Sequence, residues 1–102
     1  MNFGLAISEI ESIIHVFHLQ PRVEKAVLFG SRATENFSMG SDIDIAVQGL
    51  NLTFNDFLDL KVKLDELDLL QKIDLVKYES IENPGFIDHI SRVGITIYTK
   101  KE

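Results

Sequence analysis

The sequence predicts a small α/β (α+β) domain, with a mixed sheet of about four strands flanked by helices. Two observations favour this class. Segments with apolar residues at helical spacing alternate along the chain with short apolar runs that suit strands. The chain has 102 residues, of which 45% are apolar and 25% charged, and this balance suits one folded domain over residues 1–102. Because each element must bury an apolar face, the alternation predicts a sheet covered by helices.

The first third of the chain predicts a helix, a strand and a short helical turn. Between Ile7 and Phe17 the apolar residues lie three or four positions apart, and Ser8 or a neighbour suits the cap of this helix. The helix ends at Gln20-Pro21, because a residue before proline disfavours helical geometry. The elements that follow are a strand at Val23–Phe29, a break at Gly30, a helical turn at Arg32–Glu35 and a loop over residues 36–41.

The rest of the chain predicts three strands and two helices. Thr53 has the residue type of an N-cap for the longer helix. Asn83 followed by Pro84 is typical of a helix start, and Gly94 suits the end of that helix. The predicted elements are, in order, a strand at Asp42–Val47, a helix at Phe54–Leu67, a strand at Ile73–Tyr78, a helix from Pro84 to Arg92 and a strand at Ile95–Thr99.

The composition excludes several classes of function. Ten Lys plus Arg residues against sixteen Asp plus Glu give a net charge of −6, which argues against a general nucleic-acid binder with its basic surface. The absence of cysteine excludes a disulfide framework, a thiolate zinc site and a cysteine nucleophile. No apolar run is long enough to cross a bilayer, and the first ten residues lack the basic region of a secretory signal. We therefore expect a cytoplasmic protein that does not contact membranes.

The most informative segment contains Asp42 and Asp44 at the start of a predicted strand. Side chains alternate along a strand, so these carboxylates point to one face while Ile43 and Ile45 point to the opposite face, into a core. Two adjacent carboxylates repel each other unless a cation lies between them. Mg²⁺ binds carboxylate oxygens together with substrate phosphates, so the pair predicts a metal site. The alternative interpretation is a solvated acidic pair at a strand end.

Two further features complete the predicted site. Gly30-Ser31 follows the preceding strand, where backbone N–H groups and the serine hydroxyl suit a phosphate and glycine permits its close approach. Asp74 faces away from Ile73 and Leu75, and it meets the acid pair if the two strands are neighbours. Two metal ions held by these acids can activate an attacking oxygen and stabilise a leaving pyrophosphate. Each feature alone is common in turns and at exposed strand ends, whereas the combination is not.

Gly30-Ser31, ten intervening residues, Asp42-x-Asp44 and the later Asp74 form a pattern that resembles the minimal nucleotidyltransferases of the DNA polymerase β superfamily. The resemblance extends over nearly the whole chain, including Arg32-Ala33 after the Gly-Ser pair and the closing helix and strand. It implies a nucleotidyltransferase-type fold. One departure is Thr34-Glu35-Asn36, which stands where many relatives have a basic residue and a glycine.

The resemblance implies an enzyme that moves a nucleoside monophosphate, with AMP from ATP expected, to a hydroxyl group and releases pyrophosphate. Asp42 and Asp44 would hold two Mg²⁺ ions. Asp74 would bind the ion on the nucleophile side and help to deprotonate the hydroxyl. Gly30-Ser31 would hold the β- and γ-phosphates. Arg32 would contact the triphosphate or, as an equal alternative, pair with an acid and hold the loop.

Family members of this size are often encoded beside a HEPN-domain protein. Such a pair resembles a toxin–antitoxin system in which the nucleotidyltransferase adds AMP to a tyrosine of the HEPN ribonuclease. The resemblance therefore implies an antitoxin that forms a hetero-oligomer with a HEPN toxin. An antitoxin that acts by binding alone, without turnover, is one alternative. A small-molecule nucleotidyltransferase that needs a partner subunit is another, because such enzymes build the acceptor pocket with a further helical domain, for which this chain has no residues.

The helix predicted at Phe54–Leu67 is a candidate dock for that partner. Its apolar residues spread over more than half of its circumference, whereas a surface helix needs only one apolar stripe. The helix is therefore wedged between other elements, ends at a residue other than Leu67, or presents a second apolar face to a partner. The small size of the chain favours the partner. The first helix, with Ile7, Ile14 and His18 outside its tightest core stripe, is a second candidate. We interpret His15, His18 and His89 as ordinary structural or solvated residues.

Overall fold

A four-stranded mixed sheet forms the centre of the computed structural model, which describes residues 3–101. Met1, Asn2 and Glu102, which the predicted domain of residues 1–102 includes, lie outside the described residues. The predicted α/β class is confirmed. The elements are, in order, α1 (Ile7–His18), β1 (Lys25–Phe29), α2 (Ser31–Thr34), β2 (Ile43–Gln48), α3 (Phe54–Asp65), β3 (Ile73–Lys77), a 3₁₀ turn (Tyr78–Ser80), α4 (Pro84–Val93) and β4 (Ile95–Thr99).

The order of strands across the sheet is β3-β2-β1-β4. Strand β1 pairs antiparallel with both β2 and β4, whereas β2 and β3 run parallel. A parallel pair needs a crossover connection, and α3 provides it. Because of this arrangement, β1 ends at the same edge of the sheet at which β2 and β3 begin, and all the residues of the predicted site lie at that edge.

The two faces of the sheet are covered unequally. The main core lies between one face and the helices α1 and α3, where Phe17 and Leu60 pack against Ile45 and Leu75. A smaller apolar cluster on the opposite face lies under α4 around Ile90. The alternation along β2 and β3 therefore directs the isoleucines into the main core and leaves the aspartates on the face that α4 covers in part.

Several element boundaries differ from the sequence-based expectation. Helix α1 begins at Ile7, before Ser8, and the Glu9 carboxylate accepts a hydrogen bond from the Ala6 N–H at 2.8 Å in place of a serine cap. Strand β1 begins two residues after Val23, because the Val23 N–H turns back to the Gln20 carbonyl. Helix α3 ends at Asp65, two residues before Leu67, whose N–H donates to the nearer Leu64 carbonyl.

The predicted starts of α3 and α4 are confirmed by their caps. The Thr53 hydroxyl accepts from the Asp56 N–H at 3.1 Å, and the Asp56 carboxylate accepts from the Thr53 N–H at 2.9 Å. The Asn83 side chain accepts from the N–H groups of Gly85 and Phe86. Across residues 3–101, no helix has the length and apolar character that a membrane span requires.

The orientation of α3 can be tested with two leucines on the same helix. Leu60 is 1% exposed and Leu58 is 42% exposed. We expect Leu60→Ala to lower the free energy of unfolding by about 2–5 kcal/mol, because it removes buried contacts and leaves a cavity. Leu58→Ala, the matched control, should cost less than about 1 kcal/mol. Equal losses in urea denaturation of the two variants would contradict the described packing of α3.

Candidate active site

The carboxylates of Asp44 and Asp74 lie side by side in the sheet. The parallel register of β2 and β3 pairs these two residues directly, at the strand spacing of roughly 4.8 Å. Asp42 precedes the first residue of β2 and is exposed. The Ile43 N–H donates to the Lys72 carbonyl at 2.8 Å and fixes the start of this pairing. The condition under which Asp74 meets the acid pair is therefore fulfilled.

The environment of Asp44 disfavours its negative charge. Partial burial raises the pKa of this carboxyl above its ordinary value of 3.8, and repulsion from Asp74 and Asp42 raises this pKa further. His89 of α4 acts in the opposite direction. A group of carboxylates that repel one another is stabilised by any cation that binds among them, so the electrostatics of this edge favour cation binding.

Gly30 packs against the Asp44 carboxylate. It has a φ of 74°, in the left-handed region, and a Cβ built on it would overlap Asp44 Oδ2 and come within 3.1 Å of Asp44 Cγ. Ser31, the first residue of α2, is half-buried, and its hydroxyl makes no hydrogen bond to the described residues. The structure thus places Gly30 of the predicted phosphate-binding pair in contact with Asp44, one of the predicted metal ligands.

Arg32 lies beneath the site. Its side chain is fully buried, and the hydrogen bonds of its guanidinium end on backbone carbonyls of Phe3 and of residues 38–41. Within residues 3–101, no carboxylate lies at ion-pair distance from it. This geometry matches the loop-holding alternative, with carbonyls in place of the expected acid. A contact between Arg32 and a triphosphate would require the guanidinium to leave these carbonyls.

His89 also lies near this site, although the sequence indicated only an ordinary structural or solvated residue. It is half-buried on α4, and its ring stands edge-on to the Phe29 ring with centroids 6.3 Å apart. Phe29 is the register partner of Asp44 across β1 and β2, which explains the effect of His89 on the pKa of Asp44. The sequence feature that could have indicated this is the spacing of Phe86 and His89, which lie three residues apart on the flank of α4 that faces the sheet.

The donor set has the chemistry of a magnesium site. Asp42, Asp44 and Asp74 offer hard carboxylate oxygens, and Mg²⁺ commonly uses one or two carboxylates together with phosphate oxygens and water. No three His, Cys, Asp or Glu side chains in the described part of the chain are already grouped as metal ligands. A magnesium ion at this site would therefore be held by a pair of carboxylates, and the phosphate oxygens of a nucleotide would supply further ligands.

The other sequence-predicted surfaces lie away from the acids. Helix α3 is not wedged between elements: Phe54, Leu58 and Val62 form an exposed stripe along it. This α3 stripe belongs to the side of the sheet opposite to Asp44. His15 and His18 are exposed and stack on each other, with centroids 6.5 Å apart. Surface cavities of about 560 and 540 Å³ lie near Pro21 and Lys100, and none of the predicted site residues line them.

The chain is similar to known proteins in sequence and in fold. A family model described as polymerase beta, nucleotidyltransferase matches residues 11–102. No curated protein matches the chain significantly. One chain of a toxin–antitoxin complex with AMP-PNP is 26% identical, with a TM-score of 0.73, over 90% of this chain and 74% of that one.

Two further solved structures share the fold. The match to an MntA-HepT toxin-antitoxin complex has 24% identity and a TM-score of 0.68, over 93% of this chain and 74% of the other. The match to a complex of the tri-AMPylated Shewanella oneidensis HEPN toxin with its MNT antitoxin has the same identity and TM-score, over 91% of this chain and 71% of the other.

The electrostatic strain at Asp44 leads to a prediction about stability. We expect Asp44→Asn to raise the melting temperature of the metal-free protein at pH 7. Because the pKa of Asp44 in the folded state lies above 3.8, its ionisation destabilises that state. The gain should be complete above the raised pKa and should vanish as the pH falls below 3.8. Melting curves of both proteins in EDTA, at pH 7 and at a pH below 3.8, provide the measurement.

The matched control is Asp59→Asn, since Asp59 is exposed and pairs with Lys63 at 2.8 Å on the other side of the sheet. This variant should leave the melting temperature nearly unchanged, because exposed ion pairs contribute little. An unchanged or lower melting temperature for Asp44→Asn at pH 7 would show that the acids do not repel one another as described.

Proposed function

The chain belongs to the polymerase beta nucleotidyltransferase family, and we propose that it transfers AMP from ATP to a hydroxyl group of a partner protein. The observation that carries the proposal is the contact of Gly30 with Asp44, which itself lies beside Asp74. A phosphate-binding turn and a cation-binding group of acids must meet in this way if a triphosphate is to be bound and cleaved. The proposed unit is the single domain formed by residues 1–102, acting in the cytoplasm.

Each residue of the site has a proposed role. Asp42 and Asp44 would hold two Mg²⁺ ions, and Gly30 and Ser31 would receive the β- and γ-phosphates through their N–H groups and the serine hydroxyl. Asp74 would help to hold the ion near the acceptor and would take the hydroxyl proton. When bound, the ions supply neutralisation of the phosphate charge.

The transfer itself is a substitution at the α-phosphorus of ATP. The acceptor oxygen forms a bond to this phosphorus while the bond to the oxygen of the β-phosphate breaks, and pyrophosphate leaves. Such reactions depend mainly on positioning and on charge neutralisation, with little covalent work for the protein. The rigid pairing of Asp44 with Asp74 therefore matters more than any single strong acid or base.

The proposed acceptor is a tyrosine of a HEPN toxin, and the proposed biological role is that of its antitoxin in a hetero-oligomer. The family relationship supports this, as does the similarity to an MNT antitoxin that was solved with a tri-AMPylated HEPN toxin. A related complex contains AMP-PNP, an ATP analogue, which supports ATP as the donor.

The fold restricts how the acceptor reaches the acids. The main core fills one face of the sheet, so the tyrosine has to approach over the face that α4 covers. The α3 stripe lies on the opposite side and is therefore proposed only as an additional contact with the partner. Phe86 and His89 of α4 contact Phe29, the register partner of Asp44, and we propose that they border this path of approach.

The first functional prediction concerns the metal. ATP should bind measurably more tightly with Mg²⁺ than in a chelator, because the acids repel the triphosphate unless a cation lies between them. Titration calorimetry with and without EDTA measures the difference. In Asp42→Asn the Mg²⁺-dependent gain should shrink, and in the control Asp59→Asn it should persist. Equal ATP affinity in both buffers would contradict the assignment of the acids as metal ligands.

The second functional prediction concerns transfer. After incubation with this protein, ATP and Mg²⁺, a co-expressed HEPN partner should gain the mass of one or more AMP groups. Asp74→Asn should lower the rate by about 100-fold or more, which is the scale of the loss when one stabilising group is removed from a preorganised active site. Asp59→Asn should transfer at the normal rate. Intact-mass spectrometry decides between the outcomes: tight binding and toxin neutralisation without any mass change would favour an antitoxin that acts by binding alone.

A further inference from the structure

We propose that Arg32 is a positioning residue: its buried guanidinium fixes the loop of residues 38–41 so that Asp42 stays beside Asp44, without touching the nucleotide. The inference rests on the proposed function for the role of Asp42 as a metal ligand. It concerns the loop itself, however, and the conformation of the loop can be measured without any reaction.

The hydrogen bonds of Arg32 converge on the residue before Asp42. Its Nε and Nη2 both donate to the Ser41 carbonyl, at 3.2 and 3.0 Å, so this one oxygen accepts two hydrogen bonds from the guanidinium. Nη2 also donates to the Met39 carbonyl at 3.2 Å. Because the Ser41 carbonyl belongs to the peptide that enters Asp42, its position sets the direction of the chain at that aspartate.

Because the charge of Arg32 is buried, its hydrogen bonds to the loop carbonyls favour one conformation of the loop. A fully buried guanidinium is tolerated only if its donors are satisfied. Here carbonyl dipoles satisfy them, together with the Phe37 ring, whose centroid lies 4.9 Å from the guanidinium carbon. On the remaining side, Nη1 donates to the Phe3 carbonyl at 2.7 Å. A shifted loop would leave the cation partly unpaired, so the loop and the arginine stabilise each other.

A second side chain holds the loop from the direction of β3. Gln71 lies three residues before Asp74. Its Nε2 donates a hydrogen bond to the Met39 carbonyl at 3.2 Å. The loop that leads to Asp42 is thus clamped between Arg32 and the segment that leads to Asp74. A displacement of about 1 Å in a ligand can cost roughly 100-fold in rate, so a clamp at this point affects the chemistry from a distance.

The test compares Arg32→Lys and Gln71→Ala with the control Arg22→Lys, since Arg22 pairs with Asp56 at the surface. The first readout is amide hydrogen exchange over residues 38–44 in the metal-free protein. The second is the Mn²⁺ concentration that half-saturates the protein in the presence of AMP-PNP. A positioning role predicts faster exchange and a midpoint raised about 10-fold in Arg32→Lys, with smaller changes in the same direction in Gln71→Ala. AMP-PNP affinity in EDTA should stay within about twofold.

Two results would overturn the proposal. A large loss of AMP-PNP affinity in EDTA for Arg32→Lys would make Arg32 a phosphate ligand. Unchanged exchange and an unchanged Mn²⁺ midpoint in both variants, with only a lower melting temperature, would make it a purely structural residue. If Arg32→Lys fails to fold, Gln71→Ala decides alone, since it loosens the loop without leaving a buried charge. If the native protein transfers no AMP, the exchange data still decide the role of Arg32, whereas the transfer assay judges the proposed function.

Discussion

The parallel pairing of β2 with β3 is the interaction on which the site depends. It sets Asp44 beside Asp74, and a slip of one residue would turn one of the two carboxylates toward the main core. The core prevents this slip, because Ile45 and Leu75 are buried on the opposite face between the sheet and its two larger helices. Apolar burial on one face thus holds together charges on the other face that repel each other.

The arrangement of the acids could be predicted to a large extent from the sequence, because side-chain alternation is a local property of a strand. The alternation of Asp42 and Asp44 with Ile43 and Ile45 was enough to assign a face to each. The order of the strands in the sheet, by contrast, could not be predicted from the sequence. Only the fold itself brings Asp74 next to Asp44, since the partners of a strand are chosen by packing across the whole domain.

The hydrogen-bond partners of Arg32 and the position of His89 near Asp44 could not be predicted, for two physical reasons. The partners of Arg32 are backbone carbonyls, which every residue has, so residue types carry no trace of the contact. His89 reaches Asp44 only through the docking of α4 on the sheet, a tertiary contact. The end of α3 shows a third limit: Leu67 continues the apolar pattern of the helix, yet local hydrogen bonds end the helix at Asp65.

The crossover through α3 has a consequence for the order of events in folding. Positions 44 and 74 are thirty residues apart, and a parallel pair cannot close through a short hairpin. Closing so long a loop has an entropic cost, which the docking of α3 onto the sheet helps to offset. The hairpin of β1 and β2 brings Gly30 to Asp44 by a shorter route. The hairpin therefore sets Gly30 beside Asp44 by closing a shorter loop than the one that brings in Asp74, and the three acids are together only when the parallel pair has formed.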